Sequence, residues 1–170
     1  MKSVRRVSVL IIIFCLIYLV NLYGDGQFDV VVQNRIIDDI FVTGNYFDYL
    51  GYIEIPKFGI RRLIKYGTDS DILDDLYVGL YELSSDIDSD DLIILAGHNV
   101  SNVFSSLHNI LIGDYVYIVS PNGFRRFVVY DKKVVSDDDF SYFDNRKNEM
   151  LLITCDMTGY RLFVFLREDI

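Results

Sequence analysis

The spacing of apolar positions divides the chain into three parts. From Val7 to Val20 no residue is charged, and Asn21, Leu22 and Tyr23 close the run. With its flanks this run reaches about 17 residues, the lower limit for crossing a bilayer. Beyond Gly24 and Gly26 the pattern takes a period of four. Phe28, Val32, Ile36 and Ile40 recur on one face with Ile37 and Phe41 beside them, while Asp29, Gln33, Asn34, Asp38 and Asp39 fall largely elsewhere. This predicts an amphipathic helix that stops near Gly44. Its charged face is acidic and would be repelled by anionic lipid, so packing on a folded domain is expected.

From Gly51 the period shortens to that of strands. Tyr52 to Ile55 is stopped by Pro56, and Ile60 to Lys65 follows a turn at Gly59. Asp69 to Leu76 reads as a short capped helix, and Val78 to Leu83 as extended chain. Ser84 to Asp91 is an acidic loop, and Leu92 to Ala96 is a buried-type strand ending in Gly97, His98 and Asn99. Val103 to Leu111 reads as a helix. Tyr115 to Val119 and Phe124 to Val135 flank the turn signal Pro121-Asn122-Gly123. A polar loop, Ser136 to Glu149, leads to the apolar run Leu151, Leu152, Ile153, then Thr154 and Cys155, a turn through Gly159, and a last strand from Tyr160 to Leu166. Many short strands with brief helices predict a mostly β chain closed as a mainly antiparallel barrel.

Charge sets the orientation of these parts. Lys2, Arg5 and Arg6 precede the apolar run and no cation follows it closely, which places the N-terminus in the cytoplasm and the domain outside. No small-x-small cleavage pattern follows the run, so a retained anchor is expected in place of a cleaved signal peptide. The expected division is an anchor with a basic tip over 1–23, a linker with the amphipathic helix over 24–50 and a barrel over 51–170. Beyond Val20 there are 13 basic and 25 acidic residues, a balance of −12. Such a surface argues against nucleic acid as a partner.

Of the two cysteines, Cys15 lies in the apolar run and Cys155 in the outer domain, so they cannot pair. A leftover thiol outside the cell, where cysteines are normally paired, is a candidate for chemistry. His98 ends a strand at a barrel rim, while His108, inside the Val103–Leu111 helix, reads as helix surface. An imidazole exchanges protons with a thiol, and a cation such as Arg161 raises the thiolate fraction or holds an oxyanion. These residue types allow cysteine acyl transfer without showing that the groups meet.

The chain resembles the sortases, membrane-anchored cysteine transpeptidases of Gram-positive cell envelopes. The resemblance runs from Gly51 to about Arg167, in the family's order. GYIEIPKFGI is similar to the opening strand and its Ile-Pro turn, LAGHN to the histidine motif, and FSSLHNILIGDYVYI to the helix, Gly-Asp and strand. LLITC is similar to the Thr-Leu-x-Thr-Cys signature, and an arginine follows at the family's distance. The resemblance implies an eight-stranded sortase-type barrel with His98, Cys155 and Arg161 as catalytic residues. It implies a thioester between Cys155 and the threonine of an LPxTG-like sorting signal, passed to a cell-wall or pilin amine. No cofactor is required by this chemistry.

Three features depart from the family pattern. Leu151 stands where the signature has threonine, the segment before Gly51 has no proline and so no Asp-Pro-aromatic lid, and the Ser136–Glu149 loop is unfamiliar. The acids Asp86, Asp88 and Asp90 lie at a distance before the histidine similar to that of calcium-binding acids in some sortases. The EF-hand template fails, with Asp91 at position six and Gly97 at position twelve, so a solvated loop is the first expectation and Ca²⁺ the second. The alternatives to a transpeptidase are an extracellular cysteine protease that only hydrolyses, and a non-enzymatic surface binding module on the same barrel.

Overall fold

The strand β1, Gly51–Ile55, turns through a single 3₁₀ turn at Pro56–Phe58 into β2, Ile60–Tyr66, with Ile55 opposite Ile60. This hairpin opens a computed structural model that describes residues 25–46, 48–139, 141–144, 146–156 and 158–169. The chain continues through α2, Ser70–Leu73, to β3, Val78–Leu80, and β4, Ile93–Ala96. Next come β5, Tyr115–Ser120, and β6, Gly123–Val135, then β7, Glu149–Cys155, and β8, Arg161–Glu168. The eight strands close into a barrel in the order β1-β2-β3-β4-β7-β8-β6-β5, with β5 pairing back to β1. Two neighbouring pairs, β2–β3 and β4–β7, are parallel and the remaining six are antiparallel. The expected closed, mainly antiparallel barrel is the one observed.

Alternation fills the inside. Ile53 and Ile55, Ile60 and Ile64, Ile93 and Leu95, Leu152, Val164 and Leu166 all turn into one buried cluster. Outward residues of β4, β7 and β8, including Ile94, Leu151, Phe163 and Phe165, form a second cluster covered by Tyr142 and Phe143 of the β6–β7 loop. The loop that reads as polar in sequence is therefore anchored by two aromatic rings. Tyr142 meets Phe163 edge-on at 5.9 Å, and Phe143 stacks on it at 6.0 Å.

The amphipathic segment forms a helix, α1, Asp25–Thr43, that packs on β2 as expected. The buried stripe differs by one position from the one predicted. Gln33, Ile37 and Ile40 are buried while Val32 is exposed. Gln33 is drawn inward because its amide satisfies two backbone groups, donating to the Asp75 carbonyl at 3.0 Å and accepting from Leu63 N at 3.4 Å. Among the described residues no helix is long and apolar enough to cross a membrane. The anchor expected over residues 1–23, with Cys15, lies outside the described residues, as does the side chain of Phe28.

Two short helices shrink relative to expectation. Asp69 stands at the N-cap of α2 but makes no side-chain capping bond, and α2 spans only four residues. The Val103–Leu111 segment forms a 3₁₀ helix over Ser105–Asn109, tied down by the fully buried Leu107. Both segments are too short to be stable by propensity, and packing decides their shape.

Arg62 shares the inward parity of Ile60 and Ile64 and is 1% exposed. Its Nη1 donates to the Arg61 carbonyl, while Nε and Nη2 meet no partner among the described residues. Burial pulls its pKa down to about 10. A base whose pKa falls on folding opposes folding while protonated, so this penalty is present at neutral pH and is relieved as pH rises through 10. Arg62→Met keeps the volume and removes the charge. It is expected to add about 1–4 kcal/mol to stability, read from the midpoint of urea unfolding. A lower midpoint would show that the guanidinium stabilises the barrel.

Candidate active site

The ladder between β4 and β7 brings two distant parts of the sequence to one rim. Ala96 lies opposite Ile153, and one residue further Gly97 N donates to the Ile153 carbonyl at 3.0 Å. His98 therefore leaves β4 beside the end of β7, where Cys155 stands. Position 97 has to be glycine, because a Cβ there would lie 2.7 Å from the ring of the fully buried Phe104. On the other side of Cys155, the β7–β8 hairpin places Arg161 directly opposite it in register. The connecting turn is closed by Asp156 N donating to the Tyr160 carbonyl at 2.7 Å. Gly159 supplies a left-handed φ of +86° that a side chain would strain.

His98, Cys155 and Arg161 line one cavity of about 390 Å³, together with Thr154, Asp137 and Tyr81. The thiol of Cys155 is exposed and unpaired. Thr154 beside it is buried, and its hydroxyl has no partner among the described residues. The three residues singled out in sequence are thus brought together at one end of the barrel.

Two carboxylates that sequence reasoning passed over hold this set. Asp74, just after α2, lies with Oδ1 3.0 Å from His98 Nε2. A carboxylate there fixes the orientation of the ring. Asp137, two residues beyond β6, accepts from Arg161 Nε. That hydrogen bond is the main reason the Arg161 guanidinium is held above its ordinary pKa, against partial desolvation, with the fields of Asp137, Cys155 and Tyr81 adding to it. Arg161 in turn holds the Asp137 carboxyl below the usual range. Val135 is the register partner of Arg161, so Asp137 reaches the guanidinium because β6 and β8 are neighbours. Neither acid carries a local sequence signal, since both contacts depend on strand order.

His108 does not sit on a helix surface as expected. Its ring is largely covered, with Nδ1 3.6 Å from Asp156 Oδ1. In the acidic loop, Asp88 accepts from Ser120 Oγ at 2.5 Å and from Asn122 Nδ2 at 2.6 Å. Asp86 accepts from the backbone N of Asp88 at 3.1 Å, and the backbone carbonyl of Asp90 accepts from Asn148 N at 2.6 Å. Among the described residues, no three His, Cys, Asp or Glu side chains gather as a metal site would require.

This barrel is similar to solved sortase structures. Sortase C from Clostridium perfringens SM101 is 24% identical, with 86% of this chain and 88% of that one covered at a TM-score of 0.66. The Group B Streptococcus Pilus Island 1 sortase C2 is 20% identical over 74% and 77% of the two chains at 0.70. Streptococcus agalactiae sortase C1, solved in complex with MTSET, is 22% identical over 72% and 70% at 0.68. No curated protein matches the sequence. At these identities the structures establish a common fold. The Sortase domain family model matches residues 53–168, from within β1 to the end of β8 and with all three rim residues, and the chain belongs to the sortase family.

Proposed function

We propose that this sortase is a cysteine transpeptidase that cleaves an LPxTG-like sorting signal and passes its acyl group to an amine. The single observation that supports this most is the convergence of His98, Cys155 and Arg161 on one open cavity at the barrel rim. In this reading Cys155, as thiolate, attacks the carbonyl carbon of the signal's threonine. Arg161 donates to the developing oxyanion from its place opposite the thiol. The tetrahedral intermediate collapses to a thioester, and the departing amine takes a proton from His98. His98, now neutral, accepts the proton of an incoming amine as that amine attacks the thioester and Cys155 leaves as thiolate. The Asp74 carboxylate orients His98 for both transfers.

The thioester route uses no cofactor. The acceptor is the amine of a peptidoglycan precursor or a pilin lysine, and both are compatible with an acidic outer surface. We also infer that residues 1–23 form a retained membrane anchor, that 24–50 link it to the barrel over 51–170, and that the catalytic domain stands outside the cell. That placement keeps the cavity near substrates emerging from the membrane. The test is to incubate the full chain, in detergent, with a panel of sorting-signal peptides and triglycine. Amine-coupled product is the expected result. Hydrolysed product alone, at every amine concentration, would replace the transpeptidase by a cysteine protease.

A further inference from the structure

The proposed transfer gives Asp137 no part, yet its carboxylate decides which edge of the Arg161 guanidinium is occupied. β8 runs between β7 and β6, so Arg161 has Cys155 opposite it on one side and Val135 on the other. Asp137 follows Val135 by two residues and accepts from Arg161 Nε. Among the described residues this is the one hydrogen bond the guanidinium makes, so both Nη groups keep their donors for another acceptor. Asp137, Arg161 and Cys155 line the same cavity.

The β6–β7 loop that carries Asp137 is strapped across the outward face of β8. Phe163 and Phe165 alternate onto that face with Arg161, and Tyr142 and Phe143 of the loop cover them, with Tyr142 5.5 Å from Phe165. Phe143 also meets Tyr81, one residue past β3, edge-on at 5.4 Å. The start of the loop is a closed turn. Asp139 N donates to the Ser136 carbonyl at 3.2 Å, and Asp139 Oδ1 accepts from Ser141 N at 3.1 Å. The backbone of Asp137 lies inside this turn and is held by it. Its pair with Arg161 is open to solvent and contributes little to the fold. What the pair fixes is one arrangement of a long side chain with many others open to it.

We infer that Asp137 is a positioning residue for the oxyanion donor. It holds the Nε edge of Arg161 and leaves the Nη pair for the oxygen that becomes negative when Cys155 attacks an acyl carbon. A carboxylate bound at the Nη groups would compete with that oxygen, and this one is not. The inference rests on the reading of Arg161 as the oxyanion donor.

The test is the rate at which p-nitrophenyl acetate acetylates Cys155, in the full chain in detergent, followed on the Cys155 peptide so that Cys15 does not contribute. This acyl transfer builds the same kind of oxyanion and needs no sorting signal. Asp137→Ala is expected to slow it by about 3- to 10-fold, a smaller loss than in Arg161→Ala. Asp137→Asn keeps an acceptor for Nε and is expected to stay within about twofold of the wild type. In the Arg161→Ala background, Asp137→Ala is expected to change nothing further. With a cleaved signal peptide the same loss is expected in kcat, with KM unchanged. Unchanged acetylation in Asp137→Ala, or equal slowing in both backgrounds, would overturn the inference. Faster acetylation would also overturn it, and would make Asp137 a competitor for the guanidinium. So would a peptide KM that rises while kcat stays the same. Acetylation that follows the expected cycle while no signal peptide is cleaved would support the inference and count against the transpeptidase alone.

Discussion

Cys155→Ala is expected to abolish signal cleavage, with the rate falling by about 10⁴-fold or more, as when a nucleophile is removed from a set that acts as a unit. The loss is chemical and not structural. Cys155 is exposed at the end of β7, and its neighbours Leu152 and Ile153 carry the packing of that strand. Exposed substitutions of this kind usually change stability by about 0.5 kcal/mol or less. Peptide cleavage followed by chromatography, beside a thermal melt of the same variant, separates the two effects. A variant that melts normally and still cleaves within tenfold of the wild type would remove Cys155 from the mechanism.

Arg161→Ala should cost about 10²-fold or more in turnover if the guanidinium holds the oxyanion. The fold should tolerate the change, because the ion pair with Asp137 is partly solvated on both sides and such pairs contribute little to stability. Asp137→Ala is the control, since it breaks the same pair and leaves the guanidinium in place. Arg161→Lys should recover only part of the rate, because a point charge does not reproduce the planar donor fork. The measurement is kcat and KM for a cleaved peptide. Turnover near the wild-type value in Arg161→Ala would take this residue out of the chemistry.

The barrel and the three rim residues were legible because local pattern and global fold agree there. LLITC, LAGHN and the hairpin turn each combine an apolar run with a glycine or a polar stop. Strand ends in such a barrel converge on a rim. The groups that hold those residues were not legible. Asp74 and Asp137 lie 24 residues from His98 and Arg161 respectively, and β-strand order alone brings each pair together. The covered ring of His108 was not legible because a 3₁₀ helix of five residues offers too little periodicity from which to tell an outward ring from a covered one. The α1 stripe was displaced for a different reason. Gln33 was read as polar and outward, yet its amide is the group that satisfies Leu63 N and the Asp75 carbonyl beneath the helix. Tyr142 and Phe143 were hidden in a loop rich in aspartate, where composition outweighed two anchors. In each case a tertiary partner overrode a local tendency.

The covalent step at Cys155 can be observed directly. The full chain in detergent would be mixed briefly with a sorting-signal peptide in the absence of added amine, quenched in acid and weighed intact. The predicted result is a mass increase equal to the signal cut after its threonine, mapped to the Cys155 peptide, released by hydroxylamine as a thioester and absent in Cys155→Ala. Cleaved peptide without any adduct on Cys155, or an adduct on another residue, would contradict the account.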